Sequence, residues 1–235
     1  GFGLVVAFFI FRFISSSNTH IQDKFTRPGF KTVINNLFNN SNQRKALLLM
    51  SLLMLSQFSI IPFIAAFMEK NVGFTQIEVT YIYLFGGLCS VFAAPMIGKL
   101  ADKVGKYKVF AIFAALAIIP LFLITNMPVV PVWMALIVTS FFFIVISGRV
   151  VPAMALITST TQPKNRGSFM SFNSSVQQTS SGIAAFIAGA IVTEDASGKL
   201  QHYPYVGYIA IVACVISIWA ASRIMNADDY EELQA

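Results

Sequence analysis

The segment Gly98-Lys99-Leu100-Ala101-Asp102-Lys103-Val104-Gly105-Lys106-Tyr107-Lys108 sets one carboxylate among lysines, bounded by glycines. Gly98 and Gly105 permit tight backbone, so the spacing predicts a short basic hairpin. Asp102 has the chemistry of an electrostatic latch. A carboxylate near a helix N-terminus gains about 0.3–1 kcal/mol when exposed, and more when partly buried. A basic turn that merely fixes topology is the plainer reading of the same residues. Arg149 is the ionisable residue that stands well inside an apolar run. A cation at a helix centre costs about 2.5–3.5 kcal/mol on insertion scales. Three roles then compete: binding an anionic or polar solute group, locking its helix to a neighbour through carbonyls, or snorkelling to the interface. Pro152, three residues on, favours a kink that frees a backbone carbonyl.

A further polar set lies at Asn173, Gln177, Ser180 and Ser181, which recur at helical spacing, with Ser174 and Gln178 beside them. Lipid does not tolerate such a face, so it looks into a cavity or at another helix. Ser181, Ala185 and Gly189 form a small-xxx-small series that permits close packing. Interhelical hydrogen bonding, averaging about 0.6 kcal/mol per contact, explains the amides equally well. No Ser-His-Asp set, phosphate loop or metal-ligand spacing is visible, and no cofactor is expected. Cys89 and Cys214 both lie in apolar runs, where a thiol acts as a small hydrophobe. An enzyme is therefore not expected.

The elements that must position these groups are membrane helices. The chain is 56% hydrophobic and 11% charged, against about 25% charged in soluble domains. Apolar windows of about 18 residues or more read as membrane spans. They predict spans at 45–68, 77–97, 109–125, from Pro131 toward Ile157, 168–192 and 205–222. Together these make an all-α integral membrane protein with a six-helix bundle over 44–223. A partial helix over 1–14 precedes it, because the chain opens on Gly1-Phe2-Gly3 inside an apolar run. Residues 15–43 read as a loop whose Phe30, Val33, Ile34, Leu37 and Phe38 form an amphipathic, interfacial helix. Residues 224–235 read as a tail. Lys and Arg alternate strictly between loops, with only Lys70 and Lys199 on the poor side. The positive-inside rule then places the rich loops, the Asp102 turn and the C-terminus in the cytoplasm. This segregation argues against nucleic acid as the reason for the net charge of +6. Asn-rich loops and short connections suggest a bacterial inner membrane.

The segment Gly98-x-Leu100-Ala101-Asp102-Lys103-x-Gly105-Lys106 resembles the G-x-L-a-D-r-x-G-r-[kr] signature of the major facilitator superfamily of secondary transporters. Tyr107 departs from it, with Lys108 beside. Gly148-Arg149-Val150-Val151-Pro152-Ala153, followed by Gln162-Pro163-Lys164-Asn165-Arg166-Gly167, resembles that family's R-x-x-q-G and p-x-x-R-G segments. Pro152-Ala153 stand where q-G is usual. The resemblance implies that the chain is the C-terminal half, from the end of helix six through helix twelve, joined to an N-terminal half. It implies a gating role for Gly98, Leu100, Asp102, Lys103, Gly105 and Lys106. It also implies that Arg166-Gly167 opens helix eleven and faces the other half's acid. Gln57, with Ser56 and Ser59 before Pro62, falls on a helix that lines the central path in that family. Gln57, Arg149, Asn173 and Gln177 are thus the candidates for the substrate cavity. The implied function is secondary active transport of a small solute by alternating access. Proton-coupled efflux of a drug, sugar or metabolite by a monomer in the lipid bilayer is the expected form. No Asp or Glu lies deep in any span, so a proton-carrying acid is expected in the other half. A non-transporting binding or scaffold protein on the same fold stays open, as does a membrane-embedded transferase.

Overall fold

The computed structural model describes Arg12 and residues 39–232. The chain divides into two compact units, Gly1–Asn35 and Asn36–Ala235. The expected helix over 1–14 and the amphipathic helix at Phe30–Phe38 fall outside the described residues, apart from Arg12.

Helix α1 (Ser41–Phe58) begins where Asn40 caps it. The Asn40 Oδ1 accepts from the backbone N–H groups of Asn42 (3.0 Å) and Gln43 (3.1 Å), satisfying donors that the helix itself cannot. Its buried residues Ala46, Leu49, Met50, Leu53 and Met54 form one face. The first expected span is not one uninterrupted helix. It breaks at Ser59-Ile60, continues as α2 (Ile61–Phe67), and ends in a π-helical turn, Met68–Val72. Pro62 explains the break, because it has no N–H to continue the ladder. Gly73, at φ +93, ends the segment.

Helix α3 (Gln76–Val104) starts with a capping box. The Thr75 N–H donates to Glu78 Oε2 (2.8 Å), and Glu78 N–H donates to Thr75 Oγ1 (3.4 Å). Helix α4 (Lys106–Thr125) follows after Gly105 alone. Next come α5 (Val132–Ser159), a 3-10 turn at Pro163–Asn165 and α6 (Arg166–Ile191). A two-stranded antiparallel hairpin, β1 (Thr193–Glu194) with β2 (Leu200–Gln201), precedes α7 (Tyr203–Ser222) and the short α8 (Ala227–Glu232). Five of these stretches are long and apolar enough to cross a membrane: Ser41–Val72 taken through its break, Gln76–Val104, Lys106–Thr125, Val132–Ser159 and Tyr203–Ser222. The sixth expected span, α6, has 26 residues and so spans about 39 Å. Its serines and amides, not its length, keep it outside that set.

The helices pack in the order α3, α5, α4, α7, α1, α6, with α1 also touching α5. α3 and α6 therefore sit at the two ends of the row. Where helices lie in lipid, shape rather than hydrophobicity selects the contact. Gly148 shows this: a Cβ there would run into the Phe113 ring, so its absence lets α5 close on α4. Both ends of the bundle are pinned by amides. At one end the buried Asn42 pairs with Met225, donating to its carbonyl (2.7 Å) and accepting from its N–H (3.0 Å). At the other, Asn71 pairs the same way with Leu200 (2.9 Å each), beside the Lys70–Glu194 ion pair at 2.8 Å.

Candidate functional site

The Asp102 segment is not the hairpin that its glycines predict. Lys99 through Val104 continue α3 as helix, since Lys, Leu and Ala all favour it. The chain turns at Gly105, where φ is +109 and the N–H closes on the Ala101 carbonyl at 3.0 Å. Gly98 is an ordinary helical residue with room for a Cβ. Asp102 consequently lies in the last turn of α3. The helix macrodipole there disfavours a carboxylate, the reverse of the N-terminal placement expected. It is exposed, as are Lys103 and Leu100, while Lys106 is half-buried. The side chain of the segment that packs is Ala101, in a cluster with Ile97 and Val109 against Phe113 and Val151.

Arg149 is wholly buried, so it does not snorkel. Its Nη1 donates to Ser56 Oγ on α1 (3.0 Å) and to Cys214 Sγ on α7 (3.1 Å). The Cys214 thiol in turn donates to the Ala114 carbonyl on α4 (3.2 Å). One guanidinium thus links α5 directly to two helices and, through a thiol, to a third. Its Nε and Nη2 have no partner. That edge is the one that grips a carboxylate with two parallel bonds. Among the described residues no Asp or Glu is buried to meet it.

Gln57 is half-buried, with its Oε1 buried and unpartnered. It lies one residue from Ser56, just before the break in α1. Asn173 is wholly buried, and neither end of its amide has a partner. It shares the inward side of α6 with Ala184 and Ala188. Ser180 donates to Ser51 Oγ on α1 at 3.0 Å, and Gln177 is half-buried. The opposite side of α6 is open and also polar. Ser171, Ser174, Ser175, Gln178 and Thr179 are all exposed, and Gly182 extends their row. Toward the far end the exposure turns apolar, at Ile183 and Phe186. Ser174 and Gln178, which the sequence places beside the Asn173–Gln177 face, thus belong to a second stripe of their own. Its signal was present, because Ser and Gln recur on more than one face between 171 and 182. Elsewhere the exposed face of the bundle is apolar: Phe92 and Met96 on α3, and Val212, Val215 and Trp219 on α7.

Arg166 opens α6 as expected, with Gly167 next, and both are exposed. Among the described residues no group of three metal-ligating side chains forms. The Ser171, Ser174 and Ser175 hydroxyls donate to the Gly167, Met170 and Ser171 carbonyls one turn back, so along α6 this arrangement offers a polar molecule hydroxyl oxygens as acceptors, together with amides. It holds a buried cation apart from that stripe, and among the described residues it offers no buried acid–base pair.

The sequence model of the Major Facilitator Superfamily matches residues 46–232. Comparison with curated proteins finds no match.

Proposed function

This chain belongs to the Major Facilitator Superfamily, a family of membrane transporters of small solutes, and on that premise we propose that it is one six-helix half of an alternating-access carrier whose α6 stripe faces the solute path. The stripe is the observation that carries this reading. An uncharged polar row, exposed along a helix of membrane-spanning length, has no stable place against lipid. It fits a water-filled path closed by a second bundle. Hydroxyls and amides suit an uncharged or amphipathic solute. Gln57 and Gln177, both half-buried, are the neighbouring contacts, whereas Asn173 is wholly buried within this half and does not line the path.

In this reading Arg149 braces the bundle and does not touch solute. A residue lining a path shared with another half would stand exposed on this half alone, and Arg149 does not. Asp102, exposed at the end of α3, is placed to meet a cation or helix end of the other half and so to favour one facing state. The Asp102 turn and the C-terminus lie on the cytoplasmic side, in a bacterial inner membrane. Coupling is to protons, with the carrier acid on the other half, and the direction is efflux.

Ethidium uptake into inverted vesicles carrying the full-length protein, the direction in which an exporter runs there, tests this proposal. Gln178→Leu and Ser174→Leu should cut the flux at least about tenfold, as a loss of about 1.4 kcal/mol would, with protein level unchanged. Asp102→Asn should alter flux while leaving thermal stability equal or slightly raised, since the macrodipole disfavours the carboxylate there. Undiminished flux in both stripe variants would remove α6 from the path.

A further inference from the structure

The end of the bundle that carries the Asp102 turn also holds a cleft of about 380 Å³, lined by Lys106, Met154, Ala155, Thr158, Ser159 and Arg166. The Thr158 and Ser159 hydroxyls already donate, to the Met154 carbonyl (2.6 Å) and the Leu156 carbonyl (2.7 Å). The side-chain donors left for a ligand are therefore the two cations. Neither is paired with a carboxylate among the described residues. Lys106 is the first residue of α4, and Arg166 is the first of α6. Each cation thus stands where a helix dipole is already positive. Neither helix has an acid in its first turn or a side-chain cap to offset that. Two unpaired cations sharing one cleft repel each other until an anion sits between them.

The floor of the cleft is different in kind. Met154 and Ala155 are apolar and half-buried. A cationic rim over an apolar floor, at the edge of a membrane-spanning bundle, matches a phosphate attached to a glycerol backbone. Basic pockets between membrane helices on the cytoplasmic side take lipid headgroups of this kind.

We propose that this cleft seats the phosphate of an anionic phospholipid, with Lys106 and Arg166 as its ligands and Met154 and Ala155 under its glycerol. The lipid then bridges the starts of α4 and α6 across the end of α5. The site lies apart from the α6 stripe, and it rests on the membrane-spanning reading of the bundle, not on the identity of any solute.

The test uses the purified full-length protein in nanodiscs of phosphatidylcholine, with or without added phosphatidylglycerol. Retained lipid is read by native mass spectrometry, and stability by thermal unfolding. Phosphatidylglycerol should be retained and should raise the unfolding temperature. Lys106→Gln and Arg166→Gln should each weaken retention about fivefold, as roughly 1 kcal/mol per charge implies. Lys99→Gln and Lys108→Gln, at the same end but outside the cleft, should leave retention intact. Inorganic phosphate in phosphatidylcholine discs should not reproduce the stabilisation, and if it does, the ligand is the free anion and the lipid proposal fails. Equal destabilisation by the cleft variants with and without phosphatidylglycerol would mean that the cations bind an acid of the protein itself, which also overturns it. So would equal loss of retention in all four variants. Ethidium flux is read in parallel in sealed proteoliposomes of the same two lipid compositions, so intact flux without lipid retention removes this site and leaves the transport reading standing.

Discussion

Arg149 is held by a hydroxyl and a thiol, with no buried carboxylate among the described residues to neutralise it. A hydrogen bond to a charged group is worth about 1.5–3 kcal/mol, so Ser56→Ala should lower the thermal midpoint of the protein in detergent. Arg149→Met removes the charge and its need for partners together. Replacing a buried ion by an apolar side chain is often neutral or stabilising by roughly 1–4 kcal/mol. R149M should therefore unfold at or above the wild-type temperature, and adding S56A to it should cost nothing more. A midpoint for R149M well below that of S56A would show the guanidinium to be a net source of stability. That a cation lay inside a span was legible from the sequence, because Arg149 interrupts an apolar run. Its partners were not, since Ser56 and Cys214 lie 93 and 65 residues away. Only the packing of α5 between α1, α4 and α7 brings them together.

Among the elements, the α3–α4 connection shows how a motif can be visible while its shape is not. Gly105 and its neighbours were identifiable, but six helix-compatible residues before it let α3 run on to Val104. One glycine then does the work expected of two. Gly105→Ala, at φ +109, should destabilise by about 1–3 kcal/mol. Gly98→Ala should be nearly neutral, because its Cβ would meet only Val151 at 3.8 Å. Thermal midpoints of the two variants decide this, and equal losses would contradict it. The stripe on α6 failed to stand out for a related reason. Periodicity marks a polar face, but Ser and Gln mark two faces here, and only the position of α1 says which is covered.

The β1–β2 hairpin supplies an element with a clear pH signature. Asp195 accepts from Ser197 Oγ (2.6 Å), Gln201 Nε2 (2.8 Å) and the N–H groups of Lys199 (3.0 Å) and Ser197 (2.8 Å). The Ser197 hydroxyl foremost, then Gln201 and Lys199, hold its carboxyl down from 3.8 to about 2. A depressed carboxylate contributes fully above its ordinary value, and its contribution is lost as pH falls through the folded one. Local order in the hairpin should thus hold down to about pH 4 and decline toward pH 2. Amide hydrogen exchange at Ser197 and Lys199 reads it, and Asp195→Asn should flatten the profile. A decline centred above pH 4 in the wild type would contradict these hydrogen bonds.

At the scale of the whole molecule, the all-α membrane class and five of the six long helices were readable from apolar windows, while α6, polar along much of its length, is read as a span from its 26-residue length and its place between charged loops. Their lateral arrangement was not readable, because α4 and α7 are apolar all round and show no preferred face. The row α3, α5, α4, α7, α1, α6 leaves α6 at an edge, and that position turns its serines outward. Membrane location and a transporter family follow from the fold and the family match. The solute path along α6 is the claim that joins them to function. Cysteine accessibility in the full-length protein, in a Cys89→Ala, Cys214→Ser background, addresses it directly. Ser174→Cys and Gln178→Cys should react with a water-soluble maleimide, while Val215→Cys, exposed on α7 among apolar neighbours, should not. If positions 174 and 178 resist the reagent as fully as 215, the stripe does not line an aqueous path, and the account fails.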